Sequence, residues 1–177
     1  YLGLGRRLAE RNGAAICFPL VGGSTRGMQL MILYAARGGE MILARNAHLS
    51  AWSACVLGGI RPIPVDPIWD EEMKLTDIRA EDVCCAIEQH PSAKAVLMTR
   101  PDFYGRMTDI RKVVETAHAH GMKVLIDEAH GAHFPWAGLP SAGDLGADFW
   151  MQSLHKTLPA LTPCAVLNAA DAKCESE

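Results

Sequence analysis

Short apolar runs recur along the chain, each bounded by glycine, proline or polar residues, and between them the apolar positions shift to a spacing of three and four. The runs at 15–20, 40–44, 61–65, 95–99, 123–127, 148–152 and 164–167 are too short for buried helices and predict seven strands. Segments 24–36, 50–57, 77–89 and 108–120 carry apolar residues at helical spacing, as Val113, Val114 and Ala117 do, and predict helices. Ser24, Ser50, Asp77 and Thr108 read as their N-caps, and Gly59 and Gly121 as C-terminal stops. Alternating strands and helices predict an α/β fold, a three-layer α/β/α sandwich around a mostly parallel seven-stranded sheet. In such a sheet, ligands bind at the carboxyl ends of the strands.

Composition narrows the picture. With 177 residues, 49% of them hydrophobic, the chain is long enough for one such domain and short for two. A formal charge of -3 with no basic stripe argues against nucleic acid or an anionic membrane surface as a partner. The cysteines at 17, 55, 84, 85, 164 and 174 show no C-x-x-C spacing, and most lie in apolar stretches, which suits a reducing, cytoplasmic setting. No apolar run reaches the ~20 residues needed to span a bilayer. The chain opens on Tyr1 and ends on the polar stretch 171–177, so the expectation is a start upstream and an end that is either a tail or a cut within a larger gene.

The polar residues worth singling out sit at predicted strand ends. Gly22-Gly23-Ser24-Thr25-Arg26-Gly27 joins the first strand to the first long helix, where close backbone approach, free helix N–H groups and two hydroxyls suit a phosphate. A plain glycine turn with a serine cap accounts for the same residues. No G-x-x-x-x-G-K-[ST] occurs, so the helicase-like Asp127-Glu128-Ala129-His130 lacks the lysine loop that a nucleotide triphosphate site requires, and no G-x-G-x-x-G marks a dinucleotide. Asp127 closes a buried strand, where a carboxylate calls for a cationic partner such as a protonated ring nitrogen; a helix cap or ion pair is the structural alternative. His48 follows another strand and can stack on a flat ligand, shuttle protons or simply cap a helix. His118, His120, His130 and His133 do not predict a metal centre, because His118 and His120 diverge at a helix end. Ser153-Leu154-His155-Lys156-Thr157 surrounds a lysine with hydroxyls and a histidine, as Schiff-base chemistry needs; an ordinary loop lysine accounts for the same short pattern.

With these residues in view, the chain resembles the major domain of the Orn/Lys/Arg decarboxylases, pyridoxal-phosphate enzymes of the aspartate-aminotransferase fold type. The resemblance is carried by G-G-S-T-R-G at 22–27, R-N-A-H-L-S at 45–50, F-Y-G at 103–105, D-E-A-H-G-A-H at 127–133 and Q-S-L-H-K-T-L-P-A-L-T at 152–162. It implies that Lys156 holds pyridoxal 5'-phosphate as a Schiff base, that Asp127 pairs with the pyridine nitrogen and that His48 stacks on the ring. It further implies that Gly23, Ser24 and Thr25, with Ser153 and His155, hold the phosphate, that Ala129 packs beneath the ring, and that His130 touches ring edge or substrate. The implied reaction is decarboxylation of lysine, arginine or ornithine, on the route to polyamines, in a homodimer or higher oligomer.

The chain departs from the family pattern at Arg26, Met28 and Leu49 and at Arg100-Pro101-Asp102-Phe103, where Ser-Pro-Thr-Tyr is usual. The resemblance implies that residues 1–177 form the cofactor-binding major domain of a longer enzyme, without the smaller carboxyl-terminal domain. Two other readings stay open: another enzyme of the same fold, an aminotransferase or lyase, or a truncated domain with no catalytic role.

Overall fold

The structure, a computed structural model, describes residues 2–72 and 75–172. Tyr1, Cys174 with the rest of the polar end 173–177, and the Asp77 side chain lie outside the described residues. The strands are β1 (Ile16–Leu20), β2 (Glu40–Ala44), β3 (Arg61–Val65), β4 (Ile68–Asp70), β5 (Leu75–Asp77), β6 (Ala95–Thr99), β7 (Lys123–Asp127), β8 (Phe149–Ser153) and β9 (Ala165–Ala169). The helices are α1 (Leu2–Asn12), α2 (Ser24–Ala36), α3 (Leu49–Gly58), α4 (Ala80–Gln89) and α5 (Arg111–Ala119), with the one-turn α6 (Phe134–Ala137) and α7 (Leu154–Thr157).

Seven strands form one sheet in the order β1-β9-β8-β7-β6-β2-β3, and β4 and β5 pair separately as a hairpin. From β3 to β8 every pairing is parallel; β9 runs antiparallel to both β8 and β1. The sheet is therefore the mostly parallel seven-stranded one that the apolar pattern predicts. Its edges are legible too. Pro19 lies in β1 and Pro62 and Pro64 lie in β3, the two outermost strands, where a missing backbone N–H interrupts the ladder least.

Strand side chains alternate between two cores. On one face Val96, Val124, Ile126 and Trp150 pack with Val83 and Ile87 of α4 and Val113 and Ala117 of α5. On the other, Leu43, Leu97, Leu125 and Met151 pack with Met28, Met31 and Ile32 of α2 and Ala51 and Ala54 of α3. Burial on both faces is why the central strands read as unbroken apolar runs. Gly27 lets α2 cross close to the sheet, since a Cβ there would meet Met151 Cγ at 2.8 Å and Leu20 Cδ1 at 2.9 Å.

Several helix starts differ from the expected ones. Ser24 is the first helical residue of α2, with Gly23 at the cap position, and α3 is capped by His48 rather than Ser50. Helix α4 starts at Ala80, because 75–77 are drawn into the β4–β5 hairpin. Thr108 donates its hydroxyl to the Ile78 carbonyl at 3.3 Å, and α5 starts at Arg111, whose N–H is taken by Asp109. Gly59 and Gly121 do adopt left-handed conformations at φ 59° and 70° after α3 and α5. The pattern gave no sign of α1, which lays Ala9 against Cys17 and Val166, nor of the hairpin. Strand β8 begins one residue later than expected because the Asp148 carboxylate turns back to accept the N–H of Val124 at 2.8 Å.

Candidate active site

The carboxyl ends of β2, β6 and β7 open into a cavity of about 350 Å³. Ala44 closes β2, Met98 and Thr99 close β6, and Asp127 closes β7; Met151 of β8 forms its floor, and Lys156 enters from the single turn of α7. Ser24, at the start of α2, and the segment 102–106 complete the wall. A parallel sheet generates this arrangement directly, since every strand delivers its last side chain and its following loop to the same rim.

Asp127 is 5% exposed, and its Oδ1 accepts the N–H of Ala129 at 3.1 Å. Burial pushes its carboxyl above the usual range, opposed by that N–H and by the charges of Lys156 and His48. A carboxylate so placed is stabilised by any cation that enters the cavity. His48 caps α3: its Nδ1 accepts the N–H of Ser50 at 3.2 Å and lies 2.8 Å from the Ser50 hydroxyl, so the ring is held in one orientation. His130 is half-buried and meets Phe103 edge to face at 6.0 Å; burial, then the Lys156 charge, lower its pKa.

Lys156 is exposed toward the cavity, and among the described residues no hydrogen bond or ion pair engages its Nζ. The neighbours that the sequence offered as its partners are occupied or turned away. The His155 Nδ1 lies 2.9 Å from the carbonyl oxygen of Cys164 and 3.3 Å from its N–H, while the Ser153 and Thr157 hydroxyls are buried and unpaired.

Six of the expected site residues thus share one cavity: Ser24, His48, Asp127, Ala129, His130 and Lys156. Gly23, Thr25, Ser153 and His155 lie outside its wall. Gly23 is buried at φ 75° with Pro163 so close that a Cβ would meet it at 3.2 Å, and Thr25 is exposed beside it. Asn46, Thr99 and Arg106 also line the cavity without having been given a role, their sequence signal being only that each follows, or ends, a strand whose carboxyl end opens on the rim. Asp102 and Tyr104 line it too, from the 100–105 loop that carries both the F-Y-G match and a departure from the family pattern.

The donor set fits pyridoxal phosphate. A lysine free to form a Schiff base, a buried carboxylate suited to a protonated ring nitrogen and a fixed imidazole share the wall. A glycine turn opens a thirteen-residue helix whose first residue, Ser24, lines the cavity. Among the described residues no three His, Cys, Asp or Glu side chains converge as a metal site, and no helix is long and apolar enough to cross a membrane.

Fold and site together define the large-domain architecture of pyridoxal-phosphate enzymes of the aspartate-aminotransferase type. The family model for the Orn/Lys/Arg decarboxylase major domain matches residues 6–177. An uncharacterized protein, YaaO, of Bacillus subtilis (strain 168) is 42% identical over 155 residues, covering 85% of this chain and 32% of its own length. An arginine decarboxylase of the same organism is 36% identical over 164 residues, covering 90% of this chain and 34% of its own. The constitutive lysine decarboxylase of E. coli superposes with a TM-score of 0.82 at 18% identity, over 98% of this chain and 27% of that one. The chain belongs to the Orn/Lys/Arg decarboxylase family, and it spans about a third of the length of the curated relatives it matches.

Proposed function

We infer that this chain is the cofactor-binding major domain of a pyridoxal-phosphate-dependent decarboxylase of a basic amino acid. Asp127 carries this reading: its carboxylate is buried, takes only the Ala129 N–H as a hydrogen bond among the described residues, and shares a cavity with Lys156.

When bound, the cofactor supplies an electron sink for the pair left at Cα as carbon dioxide departs. The chain's own residues do the rest. Lys156 would offer Nζ as the attachment point and could serve as a base or acid beside Cα. Asp127 holds a proton on the ring nitrogen, which a buried carboxylate does well because water does not screen it. His48, fixed through Ser50, would stack on the ring or return the proton to Cα. Ser24 and Thr25, at the start of α2, with Gly23, Ser153 and His155 nearby, hold the phosphate. Ala129 and His130 line the same cavity, where the first would lie against the ring and the second would reach ring edge or substrate.

The arginine and lysine decarboxylases among its relatives support a basic substrate. Assembly as a homodimer or higher oligomer and a cytoplasmic role in polyamine formation belong to the same reading.

The test is to load the chain with pyridoxal phosphate, reduce with borohydride and map the added mass. It is expected on the peptide holding Lys156 and absent in Lys156→Ala. Arginine, lysine or ornithine should then release carbon dioxide in the assembled enzyme. No attachment, or attachment at another lysine, overturns the assignment. Keto-acid-dependent amino transfer in place of decarboxylation turns it toward an aminotransferase.

A further inference from the structure

Two carboxylates line the cavity among the described residues, and they differ in kind. Asp127 is sealed at the base, whereas Asp102 is half-buried in the segment that crosses the rim beside Phe103 and Tyr104. The Asp102 Oδ1 is spoken for, accepting the N–H of Tyr104 at 2.9 Å and of Arg106 at 2.8 Å. Those two bonds fix the carboxylate's orientation, and among the described residues nothing donates to Oδ2 and no cation pairs with it. The wall's other charged groups do not neutralise it. Arg106 turns its guanidinium to Asp70 at 3.2 Å, Lys156 is committed to attachment, and His130, although the Asp102 charge acts on it, is held toward its neutral form by burial and by Lys156 as it packs edge to face against Phe103.

A fixed acceptor with an unused oxygen and two exposed aromatic rings beside it is the chemistry that receives an organic cation. Phe103 and Tyr104 meet each other edge to face at 5.4 Å and are both exposed, so they offer ring surface to a ligand. We propose that Asp102 is the specificity-determining residue of this cavity, receiving on Oδ2 the distal cation of the basic amino acid while Phe103 and Tyr104 flank its aliphatic stem. The assignment rests on the decarboxylase reading above and adds to it the residue that selects a positively charged side chain.

Asp102→Asn separates charge from structure, because the amide oxygen still accepts the N–H groups of Tyr104 and Arg106. Asp102→Ser is the second variant, its hydroxyl able to accept one of them. Each is compared with the unaltered chain, all loaded with pyridoxal phosphate and checked for attachment at Lys156. Calorimetry then measures binding of guanidinobutylamine and of its neutral isostere ureidobutylamine, amines with no carboxylate to lose.

The unaltered chain should prefer the guanidine by roughly tenfold or more, about the worth of one partly exposed charge-assisted hydrogen bond. In both variants the preference should fall to near unity while the affinity for the urea stays constant. An unchanged preference in loaded variants overturns the role of Asp102 and leaves the decarboxylase reading standing. Failure of the unaltered chain to load at Lys156 removes that reading and the role of Asp102 with it.

Discussion

The guanidinium of Arg100 and the carboxylate of Glu128 lie 3.5 Å apart, both buried, behind the strand ends that carry Thr99 and Asp127. Glu128 also accepts the Gln152 amide at 2.7 Å and the Ala142 N–H at 2.8 Å. Gln152 in turn accepts from Asn168 at 3.3 Å, and Asn168 from Asn12 at 3.2 Å. A polar chain thus ties β6, β7, β8, β9 and α1 together directly behind the site. Burial pushes the Glu128 carboxyl from its usual 4.5 up to about 8, against the pull of Gln152, Ala142 and Arg100.

The sign of the resulting pH dependence follows. Between 4.5 and about 8 the unfolded chain loses this proton while the folded chain keeps it, so stability falls as pH rises through that window. One group contributes at most ~1.4 kcal/mol per pH unit. Glu128→Gln removes that contribution while keeping an acceptor for Ala142. Denaturant unfolding across the window should give a flatter pH profile for the variant, and parallel profiles would show that Glu128 does not titrate there.

Asp127→Asn should separate stability from function. The amide oxygen still accepts the Ala129 N–H, and the cost of burying a charge disappears, so the cofactor-free chain should melt at the same temperature or higher. The variant can no longer keep the ring nitrogen protonated, and decarboxylation in the assembled enzyme should drop by roughly 10²-fold or more. Melting curves with and without pyridoxal phosphate test the first half. An apo protein that is clearly less stable would mean Asp127 is a structural anchor instead.

How far the sequence disclosed this arrangement depends on the kind of residue. The parallel strands were legible because burial on both faces leaves unbroken apolar runs such as Val124-Leu125-Ile126, and their ends located Asp127 and His48. Helix α1 was not, because its two glycines and four charged residues mask the short apolar face that packs on β1; Gly5 is needed where a Cβ would meet the Cys17 carbonyl at 2.8 Å. The loop at 100–105 stood out as a departure from the family pattern, but which of its side chains faces the cavity was not legible, because a loop has no periodicity, and Arg106 just beyond it carried no signal at all. The bond of the His155 Nδ1 to Cys164, nine residues on, was not legible either, because local pattern does not encode the path of the loop between them.

Gly23→Ala should damage both fold and phosphate binding. At φ 75° and ψ 178° the residue occupies a region that is essentially glycine-only, costing about 1–3 kcal/mol for any other. The added methyl would also press on Pro163 Cβ at 3.2 Å, moving the turn that leads into Ser24 and Thr25. A lower melting temperature together with weaker retention of pyridoxal phosphate on dialysis is expected. Full retention in a destabilised variant would take the Gly22–Thr25 turn out of the phosphate site.

Asp148 offers the converse case, a charge cluster at the amino ends of the strands, away from the cavity. Burial alone would raise its carboxyl, but hydrogen bonds from Lys123 at 2.8 Å, the Val124 N–H at 2.8 Å and His118 at 2.9 Å hold it below the usual 3.8. The folded carboxyl is the stronger acid, so its contribution is present above that value and is lost as pH falls through the lower folded pKa. Lys123 and His118 are about half exposed, so water screens them and Asp148→Asn should cost only about 1 kcal/mol at neutral pH. Its acid-side melting profile should be flatter than that of the unaltered chain, while cofactor attachment at Lys156 stays the same. Loss of attachment in a folded Asp148→Asn chain would show that the two ends of the sheet are coupled.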